Sequence, residues 1–280
     1  MKWNGRRWIL PVVAAAVAVP LTSGLLVGCE PVESGDEEQS SQPVEDDGPA
    51  AYEAPEGPAQ TLAADVHRAH GGPDWQEVRN LAFRFVVSDG DEVMFDAEHD
   101  WDVADGTTQI QWDDGDDRRW EVVLDIDEQQ ALEATIDGEA ADESQLEEAS
   151  ADAYRRWVND TYWLLMPIKL FDPGVELSTG ESIEDRQRAV DVLELSFEDV
   201  GLTPGDRYGV RIDPESHRVS SWKMMLQGRD EATEVDWDDY RDVGPLTLAM
   251  ERNWRTSDQQ ISFRDVSVDT ANDEDHHEEP

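Results

Sequence analysis

The 280-residue sequence predicts a mainly β (α+β) fold: a curled antiparallel sheet, or half-barrel, of about ten strands. One leading helix and one central helical segment are expected on its concave face. Three observations lead there. Short runs with an apolar residue at every second position recur from Leu81 to Val268. Each run has one apolar and one charged face, as in an antiparallel sheet with one side buried and the other wet. Only two stretches repeat apolar residues at helical spacing, too few to cover both faces, so they should pack on the apolar one. A long twisted sheet of this kind curls.

Residues 1–28 read as an export signal. Lys2, Arg6 and Arg7 precede an apolar run from Trp8 to Val19, followed by small residues. The run holds Pro11, is closed by Pro20, and falls short of the ~20 residues a membrane span needs. Gly5-Arg6-Arg7-Trp8-Ile9-Leu10 also resembles part of a twin-arginine signal, without the usual Ser/Thr before the pair.

Cys29 is the single cysteine, so an exported chain cannot use it in an internal disulfide. Leu26-Val27-Gly28-Cys29 resembles the lipobox of bacterial lipoproteins. The resemblance implies a diacylglycerol on Cys29, cleavage before it, and often acylation of the new N-terminus. One acyl chain, at ~0.8 kcal/mol per buried CH₂, holds a protein marginally; two or more hold it stably. The expected location is the extracytoplasmic cell envelope, lipid-anchored. Glu30 stands where some bacteria place an Asp for inner-membrane retention, which leans toward an outer membrane. The alternative is an ordinary secretory peptide that leaves a free thiol.

The chain carries 66 Asp and Glu against 22 Lys and Arg, a formal charge of −44. Loss of Lys2, Arg6 and Arg7 makes the remainder three charges more negative, at −47. Beyond residue 28 only Lys169 and Lys223 are lysines. Such repulsion is screened in concentrated salt, where the Debye length falls to ~3 Å at 1 M. The composition is that of a halophilic protein. It excludes nucleic acid as a partner, because phosphate binding needs clustered Lys and Arg.

Residues 29–59 read as a disordered acidic linker behind the anchor: residues 30–59 hold ten acids and no Lys or Arg. Residues 60–268 read as the half-barrel domain, and 269–280 as a disordered acidic tail in which His276 and His277 are solvated. In the domain, Thr61 is the expected N-cap of the leading helix, Leu62, Val66 and Ala69 share a face, and Gly71-Gly72 end it. His70 in its last turn is expected to act as a cation on the helix dipole.

Strands follow at Leu81–Val87, His99–Val103, Ile110–Trp112, Trp120–Ile126 and Leu132–Ile136. Asp113-Asp114-Gly115-Asp116 joins the third to the fourth as a hairpin turn. Leu146, Ala149, Ala153, Trp157 and Thr161 mark the helical segment over roughly 144–166, stopped by Pro167. Strands resume at Leu193–Phe197, Tyr208–Ile212, Trp222–Leu226, Val235–Trp237, Leu246–Met250 and Ile261–Val268. Asp213-Pro214-Glu215-Ser216 is a turn between two of them.

Leader, lipobox, first helix, strands, central helix and further strands, over roughly residues 60–268, resemble in order the periplasmic lipoprotein-carrier fold of the LolA/LolB-like group. His70-Gly71-Gly72 through Trp75, and Tyr162-Trp163-Leu164-Leu165-Met166-Pro167 through Asp172-Pro173-Gly174, resemble exported proteins with that fold. The resemblance implies that acyl chains are held in the hollow under the helices. A lipidated Cys29 makes the chain more like the membrane-bound acceptor than the soluble carrier.

Read by alternation, Phe83, Phe85, Trp101, Trp120, Trp163, Met166, Trp222 and Met224 should point to the concave side, as ligand-binding residues or as filled core. Aromatics and Met suit an adaptable apolar pocket. No hydrolase, metalloprotease, nucleotide or dinucleotide motif is present. No catalytic residue, metal or cofactor is therefore expected. Asp113-Asp114-Gly115-Asp116-Asp117 lacks the spaced acids of a calcium loop and reads as a solvated turn. The expectation is a non-catalytic, monomeric lipoprotein whose partners are the membrane, through Cys29, and a lipid or lipoprotein acyl chain. The competing class is a structural or interaction module with a filled core.

Overall fold

The computed structural model describes residues 57–114, 118–197 and 205–271. The export signal, Leu26-Val27-Gly28-Cys29, the linker to residue 56, the turn residues 115–117 and the tail from residue 272 lie outside the described residues.

The chain opens with α1 (Pro58–Ala69) and a 3-10 turn over Gly72–Glu77. Then come β1 (Val78–Asp89), β2 (Glu92–Asp102), β3 (Thr107–Asp113), β4 (Arg119–Asp125), β5 (Gln130–Ile136) and β6 (Glu139–Ala140). The helix α2 (Glu143–Leu165) interrupts the strands. After it run β7 (Val175–Thr179), β8 (Ile183–Asp185), β9 (Arg188–Phe197), β10 (Arg207–Ile212) and β11 (Val219–Met225). The chain closes with β12 (Thr233–Val243), β13 (Leu246–Trp254) and β14 (Gln259–Thr270).

The sheet order is β6-β5-β4-β3-β2-β1-β14-β13-β12-β11-β10-β9-β7, with β8 paired to β9. Its pairings are antiparallel, and its two end strands do not meet, so it is an open curled sheet. The first and last strands of the domain join at its middle, from Val78↔Thr270 to Asp89↔Gln259. Register shifts at Ala82/Arg84 in β1–β14 and at Val123/Leu124 in β4–β5 are bulges, which bend strands and increase twist. Asp265, opposite the first shift, has φ 52°, a left-handed conformation that Asp tolerates better than most residues.

Among the described residues, fourteen strands stand where about ten were expected. The additional β6, β7 and β8 are short and polar, and alternation leaves little trace in runs such as Glu139-Ala140 or Ile183-Glu184-Asp185. The phase of β5 also differs. Leu132, expected inward, is 55% exposed, while Ala131 and Ala134 are buried. The bulge opposite Val123/Leu124 shifts the alternation there.

The helix α1 begins at Pro58, one turn earlier than Thr61 implied, because Pro is favourable at a first helical position. Its N-cap is Gly57, and Thr61 instead donates its hydroxyl to the Gly57 carbonyl at 2.9 Å. Gly71 ends the helix as expected, at φ 80°. A Cβ there would stand 2.3 Å from the Pro245 carbonyl oxygen, so only glycine fits against the β12–β13 turn.

The helix α2 matches the expected segment. Asp142 and Gln145 form a capping box: Gln145 N–H donates to Asp142 at 3.0 Å and Asp142 N–H to Gln145 at 2.8 Å. The apolar face packs on β3, β4, β5 and β13 and buries Ala149, Ala153, Trp157, Val158, Trp163 and Leu164. Among the described residues, no helix is long and apolar enough to cross a membrane.

Candidate functional site

Alternation brings the eight expected side chains to one face. Phe83 and Phe85 come from β1, Trp101 from β2, Trp120 from β4, and Trp222 and Met224 from β11. Trp163 and Met166 come from the end of α2. Each is 4% exposed or less, and all belong to one continuous apolar cluster. The rings are in contact. Trp222 lies 4.8 Å from Tyr208, 5.1 Å from Trp163 and 5.7 Å from Trp237, centroid to centroid. Trp101 meets Trp157 edge-on at 5.3 Å, and Phe85 meets Phe263 at 5.6 Å. Trp120 stacks parallel to Trp112 at 5.9 Å.

Polar side chains tie α2 to the sheet through this cluster. His99 on β2 lies 2.8 Å from the Asp160 carboxylate of α2, and its ring stacks on Phe83 at 4.6 Å. Arg252 on β13 donates from Nη2 to the Trp163 carbonyl at 2.5 Å. Ser150 accepts the Ala131 N–H at 2.8 Å, which covers a donor on β5. Arg156 of α2 lies between Phe95 and Trp112, 4.5 and 4.6 Å from their centroids. Burial pushes its guanidinium down to about 10, against the pull of Asp160.

This seam is incompletely satisfied. Among the described residues His99 Nδ1, Arg156 Nε, Asn159 Oδ1, Trp222 Nε1, Trp237 Nε1 and Arg252 Nε are buried without a hydrogen-bond partner. Native interiors leave few such atoms, and each carries a desolvation cost of about 1–3 kcal/mol.

His70 corrects the expectation of a cation at the end of α1. It is 1% exposed; its Nδ1 lies 2.7 Å from the Val66 carbonyl, and its Nε2 3.3 Å from the Tyr240 hydroxyl. Burial holds it down to about 4, so the ring is neutral at neutral pH. It plugs the junction of α1 with β12.

The outer face carries a depression of about 340 Å³, lined chiefly by Arg84, Glu98, Asp100, Gln109, Gln111 and Asp265. Its arginine is engaged by Asp96 at 2.7 and 2.5 Å. Among the described residues, no group of three or more His, Cys, Asp or Glu could hold a metal ion.

The sequence reading did not single out Arg252, Asp160, Arg156 or Trp237 as site residues. The first two carried a signal. Arg252 continues the inward register of Leu246, Leu248 and Met250, and Asp160 sits midway between Trp157 and Trp163 on one helix face. A charge at an inward position is the informative departure.

No protein-family model matches the chain, and no curated protein matches it. Solved structures do. A LolA superfamily protein, NE2245, from Nitrosomonas europaea superposes with a TM-score of 0.48 at 5% identity, over 77% of this chain and 96% of that one. A DUF1329 family protein from Desulfovibrio piger ATCC 29098 gives 0.40 at 9% identity, over 76% and 94%. Both scores are below 0.5, and neither likeness bears on ligand or activity here.

Proposed function

We propose that the protein is a lipid-anchored, extracytoplasmic lipoprotein that takes an acyl chain or another apolar ligand beneath α2, without catalysis. The observation that carries this reading is the seam under α2. It joins large aromatic and Met side chains to buried polar atoms that lack partners. An apolar core with every polar group satisfied resists opening, whereas a seam with unsatisfied groups opens at lower cost. Met166 and Met224 have the flexible side chains that re-pack around a guest. The anchor is Cys29, supported by the export signal and by Leu26-Val27-Gly28-Cys29. Behind it, the acidic residues 30–56 serve as the spacer between the anchor and the domain.

One observation favours the filled-core interaction module: the rings around Trp222 already touch at 4.8–5.7 Å. Under the proposed function this packing is the closed, unloaded state. Two measurements test the proposal. Metabolic labelling with palmitate should mark the wild-type chain and not Cys29→Ser. Native mass spectrometry of the exported chain in high salt should show a non-covalent lipid mass. A clean mass, with no uptake of added fatty acid, leaves the interaction module standing.

A further inference from the structure

Arg252 is a buried charge whose hydrogen bonds go to backbone carbonyls and to no carboxylate among the described residues. It is 0% exposed in β13, and Asp238 supports its charge only through space. Other part-buried arginines are served differently. Arg211 reaches Glu234 with two bonds at 2.9 and 3.0 Å, and Arg255 lies among Asp185, Glu234 and Asp236. In a chain with three acids for every base, such isolation departs from the prevailing pattern.

The donors of Arg252 divide into two sets. Nη1 is fixed by the sheet itself, donating to the carbonyls of Ala249 at 2.9 Å and Glu251 at 3.0 Å. The guanidinium carbon lies over the Trp237 ring, 3.5 Å from its centroid, and 5.2 Å from the centroid of Phe263. These contacts hold the group in place whatever α2 does. Nη2 and Nε form the other edge, the fork that a carboxylate or phosphate meets with two parallel bonds. Here that edge holds one backbone carbonyl, of Trp163 in the last turn of α2, and Nε has no partner.

We propose that the Nε/Nη2 edge of Arg252 binds the anionic head of an amphiphile, a long-chain carboxylate, which replaces the Trp163 carbonyl when the last turn of α2 lifts. This rests on the reading of the cluster under α2 as the place of an apolar ligand, and it adds the head group and its orientation. The ligand's chain would run among Trp163, Trp222, Trp237 and Phe263, and its head would reach Arg252, the cation in contact with Trp237 and Phe263. Burial lowers the guanidinium to about 9, so it is still protonated at neutral pH. An incoming oxyanion supplies a directly bonded counter-charge and occupies Nε. Carboxylate and helix end compete for one edge, so binding and the opening of α2 are a single event.

The test is calorimetric titration of the full chain carrying Cys29→Ser, in high salt, with palmitate, hexadecanol, lysophosphatidate and inorganic phosphate. A charge-assisted bidentate contact predicts that palmitate binds roughly tenfold or more tighter than hexadecanol. Arg252→Met should erase that ratio and still bind hexadecanol, whereas Arg252→Lys should keep part of it. Equal affinity of acid and alcohol in the unsubstituted pocket overturns the assignment while leaving the apolar-ligand reading intact. That comparison needs no Arg252 variant to fold. Inorganic phosphate that competes as well as lysophosphatidate overturns the amphiphile in favour of a free-anion site. Failure of both palmitate and hexadecanol to bind overturns the proposed function and the head-group assignment together.

Discussion

His99 on β2 and Asp160 on α2 meet at 2.8 Å across 61 residues of sequence, with 0% and 3% of their side chains exposed. The pair sets where the C-terminal half of α2 lies on the sheet. Asp160 also accepts from the Asn159 side-chain amide at 2.8 Å and attracts Arg156 through space. Replacing His99 by Ala should therefore leave a buried carboxylate under-served, at a cost of about 3–5 kcal/mol in urea denaturation. Replacing both residues by Leu should restore most of that loss, since apolar groups of similar volume often substitute without penalty. A single variant that loses less than about 1 kcal/mol would show that the pair is no tie.

Acid should weaken the fold before its carboxylates titrate. His70 has a folded value of about 4 against an ordinary 6.5, because burial disfavours the imidazolium. The unfolded chain thus binds the proton more readily. Stability from this group is complete above about pH 6.5 and lost as pH falls toward 4, by about 3 kcal/mol. His67 shifts in the same direction, chiefly by burial. Asp185, Glu234 and Asp213 are held low by their hydrogen-bond partners, so their contribution disappears only at lower pH. The urea midpoint should fall between pH 6.5 and 4, and His70→Asn should flatten most of that slope. An unchanged slope in the variant contradicts the assignment.

Arg255 holds three carboxylates together: Asp185 at 2.6 Å, Asp236 at 2.7 Å and Glu234 at 2.8 Å. Arg255→Ala leaves the three carboxylates of β8 and β12 with only Arg211 and Arg186 as ion-pair partners among the described residues. Partial exposure tempers the loss to about 2 kcal/mol. The deficit should shrink in molar salt, where screening is tightest. Thermal melts of both chains at low and high salt read this directly, and a deficit independent of salt would point to lost packing instead.

The phase of β5 can be tested by two single changes. Leu132 is 55% exposed and Ala134 is 8% exposed. Leu132→Glu should alter stability by less than about 0.5 kcal/mol, and Ala134→Glu should destabilise by more than about 2 kcal/mol. Reversed results would place Leu132 in the core.

The same strand marks the boundary of what was legible in the sequence. Strands with a long alternating run, such as Leu81-Phe83-Phe85, could be read because burial imposes the period of two on residue choice. The helix α2 could be read because its apolar face and Pro167 agree. β5 was read out of phase because a bulge shifts register without changing composition. β6, β7 and β8 were invisible because edge strands bury little. His70 was misread because its neutrality comes from burial, which the fold creates by packing its ring against Tyr240, 170 residues away in sequence. The eight aromatic and Met residues could be gathered onto one face. Their polar company, Arg252 and Asp160, could be found only by asking why a charge occupies an inward position.

The most direct measurement is covalent capture with a photo-activatable fatty acid. The full chain carrying Cys29→Ser is irradiated with the probe in high salt, and the adducts are mapped by peptide mass spectrometry. The account predicts adducts on peptides containing Phe85, Trp163 and Trp222, suppressed by excess palmitate. Adducts confined to the exposed apolar residues Val93, Met94, Leu132 and Phe171, or none at all, would contradict it.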